Sequence, residues 1–198
     1  MMLSKELLGV LSIAIAVVAN GIYFWSVLKG RTRPHAFSWI IWGLITGVTF
    51  FAQLSAGAGS GAWAMGVTSI ICFIGAFLAV LKGEREIKTS DLVAFFGALA
   101  AILLWYFTSD PLNAVIVACG VEMLAFYPTY RKSWSKPGEE LAFTYSVDTV
   151  KQVISLLAME NYSVTTVLYP SAIILIQGSF IVMLLARRRI LSRDKKAI

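Results

Sequence analysis

Hydrophobic positions in this chain fall in long blocks separated by short polar stretches, without the strict alternation of a half-buried strand. Seven blocks of about 18 to 23 residues, each close to the length that crosses the hydrocarbon core of a bilayer, predict helices over 7–28, 36–56, 62–81, 91–108, 111–130, 140–159 and 164–186. Blocks this long read as helices because an open strand in lipid would leave backbone polar groups unsatisfied. The predicted fold class is all-α integral membrane, with seven transmembrane helices. The sixth block breaks the pattern. Asp148 and Lys151 lie near its middle, so it resembles an amphipathic surface helix as well as a span.

Composition agrees with the blocks. Of 198 residues 58% are apolar and 14% charged, well below the roughly 25% charge of soluble domains. No separate soluble domain is expected in a chain of this length. Lys5 ahead of the first block superficially resembles the start of a signal peptide, but the block is too long and lacks a small-residue cleavage site, which predicts a retained helix. Cys72 and Cys119 both fall inside apolar blocks and read as buried small hydrophobes.

The net charge of +6 does not point to nucleic acid, because the basic residues cluster in short loops beside apolar blocks. Lys29, Arg31 and Arg33, then Lys82, Arg85 and Lys88, then Arg131, Lys132 and Lys136, then the last stretch from Arg187 to Lys196 all fall on one side. Together they hold fifteen of the 17 Lys and Arg residues. The other side carries Lys5 alone. The positive-inside rule then places the N-terminus outside and the C-terminus in the cytoplasm. Anionic lipid headgroups are the expected partners of the basic loops, and Arg187, Arg188 and Arg189 are expected to snorkel to them. A plasma membrane, the inner membrane in a bacterium, is the expected location. Homo-oligomerisation is left open.

An internal repeat is visible. Adding 103 to residue numbers lays helices 1 to 3 on helices 5 to 7 without a gap. Lys29 then meets Lys132, Pro34 meets Pro137, Thr46 meets Thr149, Gly75 meets Gly178, Phe77 meets Phe180 and Arg85 meets Arg188. Tyr23 and Phe24 meet Phe126 and Tyr127, and Trp42 meets Tyr145. The expected organisation is a first triple-helix bundle over 1–83, a linker with helix 4 over 84–109, a second bundle over 110–186 and a basic cytoplasmic tail over 187–198. This is a 3+1+3 arrangement of two parallel bundles. Parallel repeats related by an axis along the membrane normal are a transporter plan, with the solute site at the repeat interface.

At the end of the fifth block the chain reads Phe126-Tyr127-Pro128-Thr129-Tyr130-Arg131-Lys132-Ser133. This resembles the Pro-Gln motif of PQ-loop proteins, with Thr129 where the family has Gln. That family includes the SWEET sugar transporters, their half-length bacterial relatives and cystinosin-like exporters. In the first repeat the equivalent dipeptide is Trp25-Ser26. The resemblance implies seven helices with an outside N-terminus, and at Pro128 a hinge for the inner gate. The alternative for Pro128 is a residue that simply ends the helix. Sugar-transporting SWEETs place an Asn in helices 3 and 7; neither block has one here, and the third offers Thr68, Ser69 and Cys72 instead.

The sixth block carries the densest polar pattern. Tyr145, Asp148, Thr149, Lys151, Gln152 and Ser155 are spaced by about three or four residues and share one broad helical face. An ionisable side chain at the bilayer centre costs on the order of 2.5 to 3.5 kcal/mol unless paired or wetted. Asp148 and Lys151 can pair, either as a proton or substrate site with its counter-ion or as a static pair that sets helix packing. Cystinosin-like proteins similarly carry a proton-coupling Asp in this helix. Trp42, Thr46, Thr49 and Gln53 form a matching stripe on helix 2, so one shared cavity is expected, where Trp39 and Trp42 could stack on a planar solute. The alternative for these tryptophans is membrane anchoring and lipid packing. Ile45 and Val48 stand opposite Asp148 and Lys151 in the repeat, which confines charge to the second bundle. Glu122 is a further intramembrane carboxyl, either an alternative proton site or one neutralised by a partner. Asn20 and Gln177 could line the site or hydrogen-bond helices together.

Other chemistry finds no pattern. His35 is the one histidine, in a basic loop beside Pro34, and a single His rules out a multi-histidine metal site. No nucleophile with an adjacent base and no glycine-rich phosphate loop occurs. No cofactor, metal or enzymatic activity is expected. The seventh block lacks the Lys a retinal Schiff base requires. The expected function is a transporter of a small polar solute by alternating access, with Asp148 as candidate proton site. The alternative is a seven-helix sensor or partner-binding subunit without transport.

Overall fold

The apolar blocks fold as helices whose ends are set by small polar residues. In a computed structural model of the protein the described residues are 4–30, 34, 36–82, 89–135, 137–138, 140 and 142–194. They form α1 (Lys5–Leu28), α2 (Ala36–Ser55), α3 (Trp63–Lys82), α4 (Thr89–Thr108), α5 (Pro111–Ser135), α6 (Ala142–Leu157) and α7 (Val164–Asp194), with a 3-10 turn at Gly59–Ala62 leading into α3. No strand occurs among the described residues. Ser4 caps α1 by accepting from the Leu7 amide at 3.2 Å, and Asp110 caps α5 by accepting from the Leu112 amide at 2.9 Å. Ser163 and Thr166 cap α7 reciprocally, each amide donating to the other's hydroxyl, at 2.9 and 3.3 Å.

Several ends differ from those the hydropathy blocks predict. α5 continues in helical conformation through Pro128 to Ser135, so Pro128 does not end it. α7 runs on to Asp194, which puts Arg187, Arg188 and Arg189 on a helix and not in a tail. α6 is shorter than the predicted block, starting at Ala142 and stopping at Leu157. Arg31, Arg33, His35, Arg85, Lys88, Lys136, Lys195 and Lys196 lie outside the described residues, as do the side chains of Pro128 and Lys132.

Five of the helices are long and apolar enough to cross a membrane: α1, α2, α3 with its 3-10 turn, α5 and α7. α6 has 16 residues, about 24 Å at the helical rise, against a hydrocarbon core of about 30 Å. The apolar part of α4 among the described residues is Phe95–Thr108. The outer surface is what lipid requires. Ile22, Phe77, Phe107, Leu175 and Val182 are all more than 60% exposed, a density of bare apolar surface that water-soluble proteins avoid.

Each half packs in the same order. α3 lies against both α1 and α2, and α7 lies against both α5 and α6. The halves meet where α1 touches α6 and where α2 touches α5, contacts that exchange under the 103-residue offset; α4 covers α5 and α2. Within the first half, aromatic rings sit over glycines across the α2–α3 seam. A Cβ on Gly43 would meet the Phe73 ring at 3.1 Å, one on Gly66 the Phe50 ring at 2.9 Å, and one on Gly75 would overlap the Trp39 ring. Small residues that admit a neighbour this closely are how helices associate without a hydrophobic driving force between them.

An aromatic cluster packs within each half. In the first, Trp39 is the hub, with ring centroids 5.3 Å from Tyr23, 5.5 Å from Phe24 and 5.9 Å from Trp42. In the second, Phe180 is the hub, 5.2 Å from Phe126, 5.3 Å from Tyr130 and 4.7 Å from Tyr145. The sequence match of Phe77 with Phe180 is therefore not one of role, since Phe77 is 65% exposed and Phe180 fully buried.

Candidate functional site

The sharpest electrostatic feature lies on α6. One turn separates Asp148 from Lys151, and the Lys151 ammonium donates to Asp148 Oδ1 at 2.6 Å. The pair is lopsided. The Lys151 side chain is 4% exposed and the Asp148 side chain 34%, so the carboxylate is the member open to an approaching solute. Its second oxygen accepts from Gln177 Nε2 of α7 at 2.9 Å. Gln177 Oε1 in turn accepts from the Thr149 hydroxyl at 3.3 Å, which fixes both ends of the amide. A carboxylate held on both oxygens by partners from two helices is aimed, not free to rotate.

Around this pair the structure gathers groups from three further positions. Glu122 of α5 is buried, accepts from the Tyr169 hydroxyl of α7 at 3.4 Å, and shares an electrostatic neighbourhood with Asp148 and Lys151. Cys72 of α3, also buried, shares it too. The cluster therefore draws on α3, α5, α6 and α7. Tyr169 escapes sequence reasoning. It precedes Pro170 inside an apolar block, where only its hydroxyl hints at a polar partner. Pro170 is inside α7 and fully buried.

The remaining candidates scatter. Tyr145 packs in the aromatic cluster and donates to Glu140 Oε2 at 3.0 Å, away from the ion pair's hydrogen bonds. Thr46 and Thr149 behave alike: each hydroxyl donates to the carbonyl four residues back, Thr46 to Trp42 at 2.6 Å and Thr149 to Tyr145 at 2.8 Å. Thr49 does the same to Ile45 at 2.8 Å. Trp42 packs edge-on against Trp39. Asn20 donates to Ala16 of its own helix at 2.8 Å. Gln53 crosses to α7, donating to the Thr166 carbonyl at 2.9 Å. The hydroxyls of the α2 stripe are therefore directed to their own helix, and its link to the other half runs through Gln53 and α7.

Among the described residues, four buried side-chain atoms keep unused capacity: Gln53 Oε1, Gln152 Oε1, Thr68 Oγ1 and Ser133 Oγ. Unmatched polar atoms are costly in a dry interior. At the other end of the molecule, Arg187 and Arg188 bond to the protein itself. Arg187 donates to the Trp134 carbonyl at 3.0 Å and its guanidinium lies 4.8 Å from the Trp134 ring centroid. Arg188 donates to the carbonyls of Pro137, at 2.8 Å, and of Glu140, tying α7 to the segment between α5 and α6.

Compared with known proteins, the chain stands apart: no family model matches it, and neither a curated protein nor a solved structure is significantly similar.

Proposed function

We propose that this chain is a multi-pass membrane transporter of a small polar solute, working by alternating access between two triple-helix units joined by α4. The observation that carries the reading is the packing order. Each third helix touches both its partners, and the halves meet through α1 with α6 and α2 with α5. Two like units meeting through equivalent seams can rock about the axis between them, as parallel-repeat transporters do. The pair of buried Lys151 and partly exposed Asp148, with Gln177 and Glu122 nearby, supplies a site that two orientations of the halves could expose in turn. The resemblance to PQ-loop proteins at residues 126 to 133 fits this plan, with Pro128 as the hinge of the inner gate.

On this reading all seven helices span, α4 and α6 included. The N-terminus lies outside and the basic ends of α1, α3, α5 and α7 face the cytoplasm and anionic headgroups. Asp148 alternates between Lys151 and a proton or cationic group of the solute. The first prediction is a counterflow measurement with purified protein in liposomes, across sugars, amino acids and nucleosides. A cognate solute exchanges, and Asp148→Asn abolishes its response to a pH gradient. Equal flux by Asp148→Asn at every gradient removes the coupling role; ligand-induced stabilisation without any exchange favours a sensor.

A further inference from the structure

The two turns at the N-terminal end of the bundle, 57–61 from the first half and 159–161 from the second, each lie between the second and third helices of their half and they clasp each other. The Glu160 amide donates to the Ala58 carbonyl at 3.0 Å, and Asn161 Nδ2 to the Ala56 carbonyl at 2.9 Å. In the reverse direction the Ser60 amide donates to Glu160 Oε1 at 3.2 Å and the Ser60 hydroxyl to the Ala158 carbonyl at 3.1 Å. Ser155 reaches from α6 to the Gly61 carbonyl at 2.7 Å. Lys5, the one basic residue assigned to this side, donates to the Met159 carbonyl and lies over the Tyr162 ring.

Contact this close needs glycine. At Gly59, where φ is +58°, a Cβ would run into the Glu160 carboxyl; at Gly61 it would sit 2.7 Å from the Met159 backbone. Beneath the hydrogen bonds, Ala58, Ala62 and Met159 are all fully buried in one apolar plug. The opposite end of the same seam is different. Between Ala14 to Ser26 of α1 on one side and Glu140 with Phe143 to Val147 of α6 on the other lies a groove of about 830 Å³. Along the α1–α6 seam the halves are joined at one end and spaced at the other.

We propose that these two turns are the outer gate of the transport cycle, closed in this conformation, and that the groove between α1 and α6 marks the side on which the halves have parted. The assignment rests on the transporter reading and deepens it, naming Glu160, Asn161 and Ser60 as the latch and Gly59 and Gly61 as the residues that let it shut. Because every bond of the latch joins one half to the other, rocking must break them together. That makes opening a two-state event.

The test has two arms, both in protein whose native Cys72 and Cys119 are replaced by Ala. In the first, Gln53→Cys, placed just below the latch and fully buried, is titrated from outside with a membrane-impermeant maleimide in right-side-out vesicles. Adding Glu160→Ala, at an exposed position, should speed labelling about tenfold, the effect of losing one net hydrogen bond on the closed state, and Gly61→Ala at least as much, because its methyl would press on the Met159 backbone. In the second, Gly57→Cys with Asn161→Cys puts the two Cβ atoms 3.6 Å apart, inside disulfide range. Oxidation should stop counterflow and reduction restore it, with Gly57→Cys alone as control for the strain of a side chain at φ +76°. The latch is overturned if both variants label at the parental rate, or if the cross-linked protein exchanges solute at the reduced rate. Failure of the transporter reading has a separate signature: no solute moves through the unlinked protein, and the labelling arm alone then decides whether the turns open.

Discussion

A buried ion pair is only as informative as its least solvated member. Lys151 is the enclosed partner and Asp148 the accessible one, so the two single substitutions should not be equivalent. Asp148→Asn strands an ammonium in a nearly dry site, which costs roughly 3 kcal/mol. Lys151→Met leaves a carboxylate that is one-third exposed and still accepts from Gln177, a loss of about 1 kcal/mol once solvent screening is allowed for. Unfolding by denaturant in detergent should therefore rank wild type first, Lys151→Met next and Asp148→Asn last, with the double variant less damaged than the sum of the singles. A larger loss for Lys151→Met would mean that the carboxylate is the enclosed group. The double variant also separates roles: recovery of stability without recovery of solute exchange points to function, and recovery of both to a static pair. The pair itself was legible because i and i+3 share a helix face. That Gln177, a candidate from the sequence, bonds to Asp148, and that Tyr169 bonds to Glu122, was not, because both come from α7 and no local spacing encodes which turn of a neighbouring helix lies opposite.

At the scale of elements the repeat is kept in packing order and altered in detail. Trp39 fills the α2–α3 seam over Gly75, whereas its counterpart in the second half is Ala142, and Phe180 of α7 supplies the bulk there. The volume has moved from the second helix of the triplet to the third. Gly75 and Gly178 are matched in sequence and should respond oppositely to the same change. Gly75→Ala forces the Trp39 ring to shift, at about 1 to 3 kcal/mol for overpacking. Gly178→Ala meets nothing within 4 Å and should be neutral or up to about 1 kcal/mol stabilising, since Ala is the better helix former. Thermal unfolding of the two variants checks this, and Trp39→Ala should relieve the Gly75→Ala loss. Offsets along the chain revealed the repeat because Lys, Pro and Gly landmarks survive. They hid the exchange of bulk because Phe77 and Phe180 are identical letters with opposite burial. For the same reason the Gly57 to Gly61 stretch gives no local sign of its contacts: its partners lie about a hundred residues away.

For the whole molecule the decisive element is the one without a repeat partner. α4 packs on α5 and on α2, covering the seam between the halves on one side, while the equivalent seam between α1 and α6 has no such cover and opens into a groove toward the start of α6. It is also the helix whose described apolar stretch is shorter than a full span, so its part in the topology is the most exposed to test. If α4 crosses the membrane, it is what allows two halves with the same internal order to lie parallel, both with basic ends toward the cytoplasm. Deleting residues 84–109 would then leave an even number of crossings and force the second half to insert upside down, carrying the basic residues near Arg131 and Arg187 to the outer face against the positive-inside preference. Each Lys or Arg near an anionic cytoplasmic surface is worth about 1 kcal/mol, and the inverted half would forfeit several of these. A reporter fused after Ile198 that is active only in the cytoplasm should therefore be bright on the full chain and lose its signal on the deletion, through inversion or through degradation of a half that cannot seat. A periplasmic reporter at the same place separates those two fates. Undiminished cytoplasmic signal from the deletion would mean that α4 lies on the membrane or within the bundle without crossing, and the parallel arrangement of the halves would then need another cause.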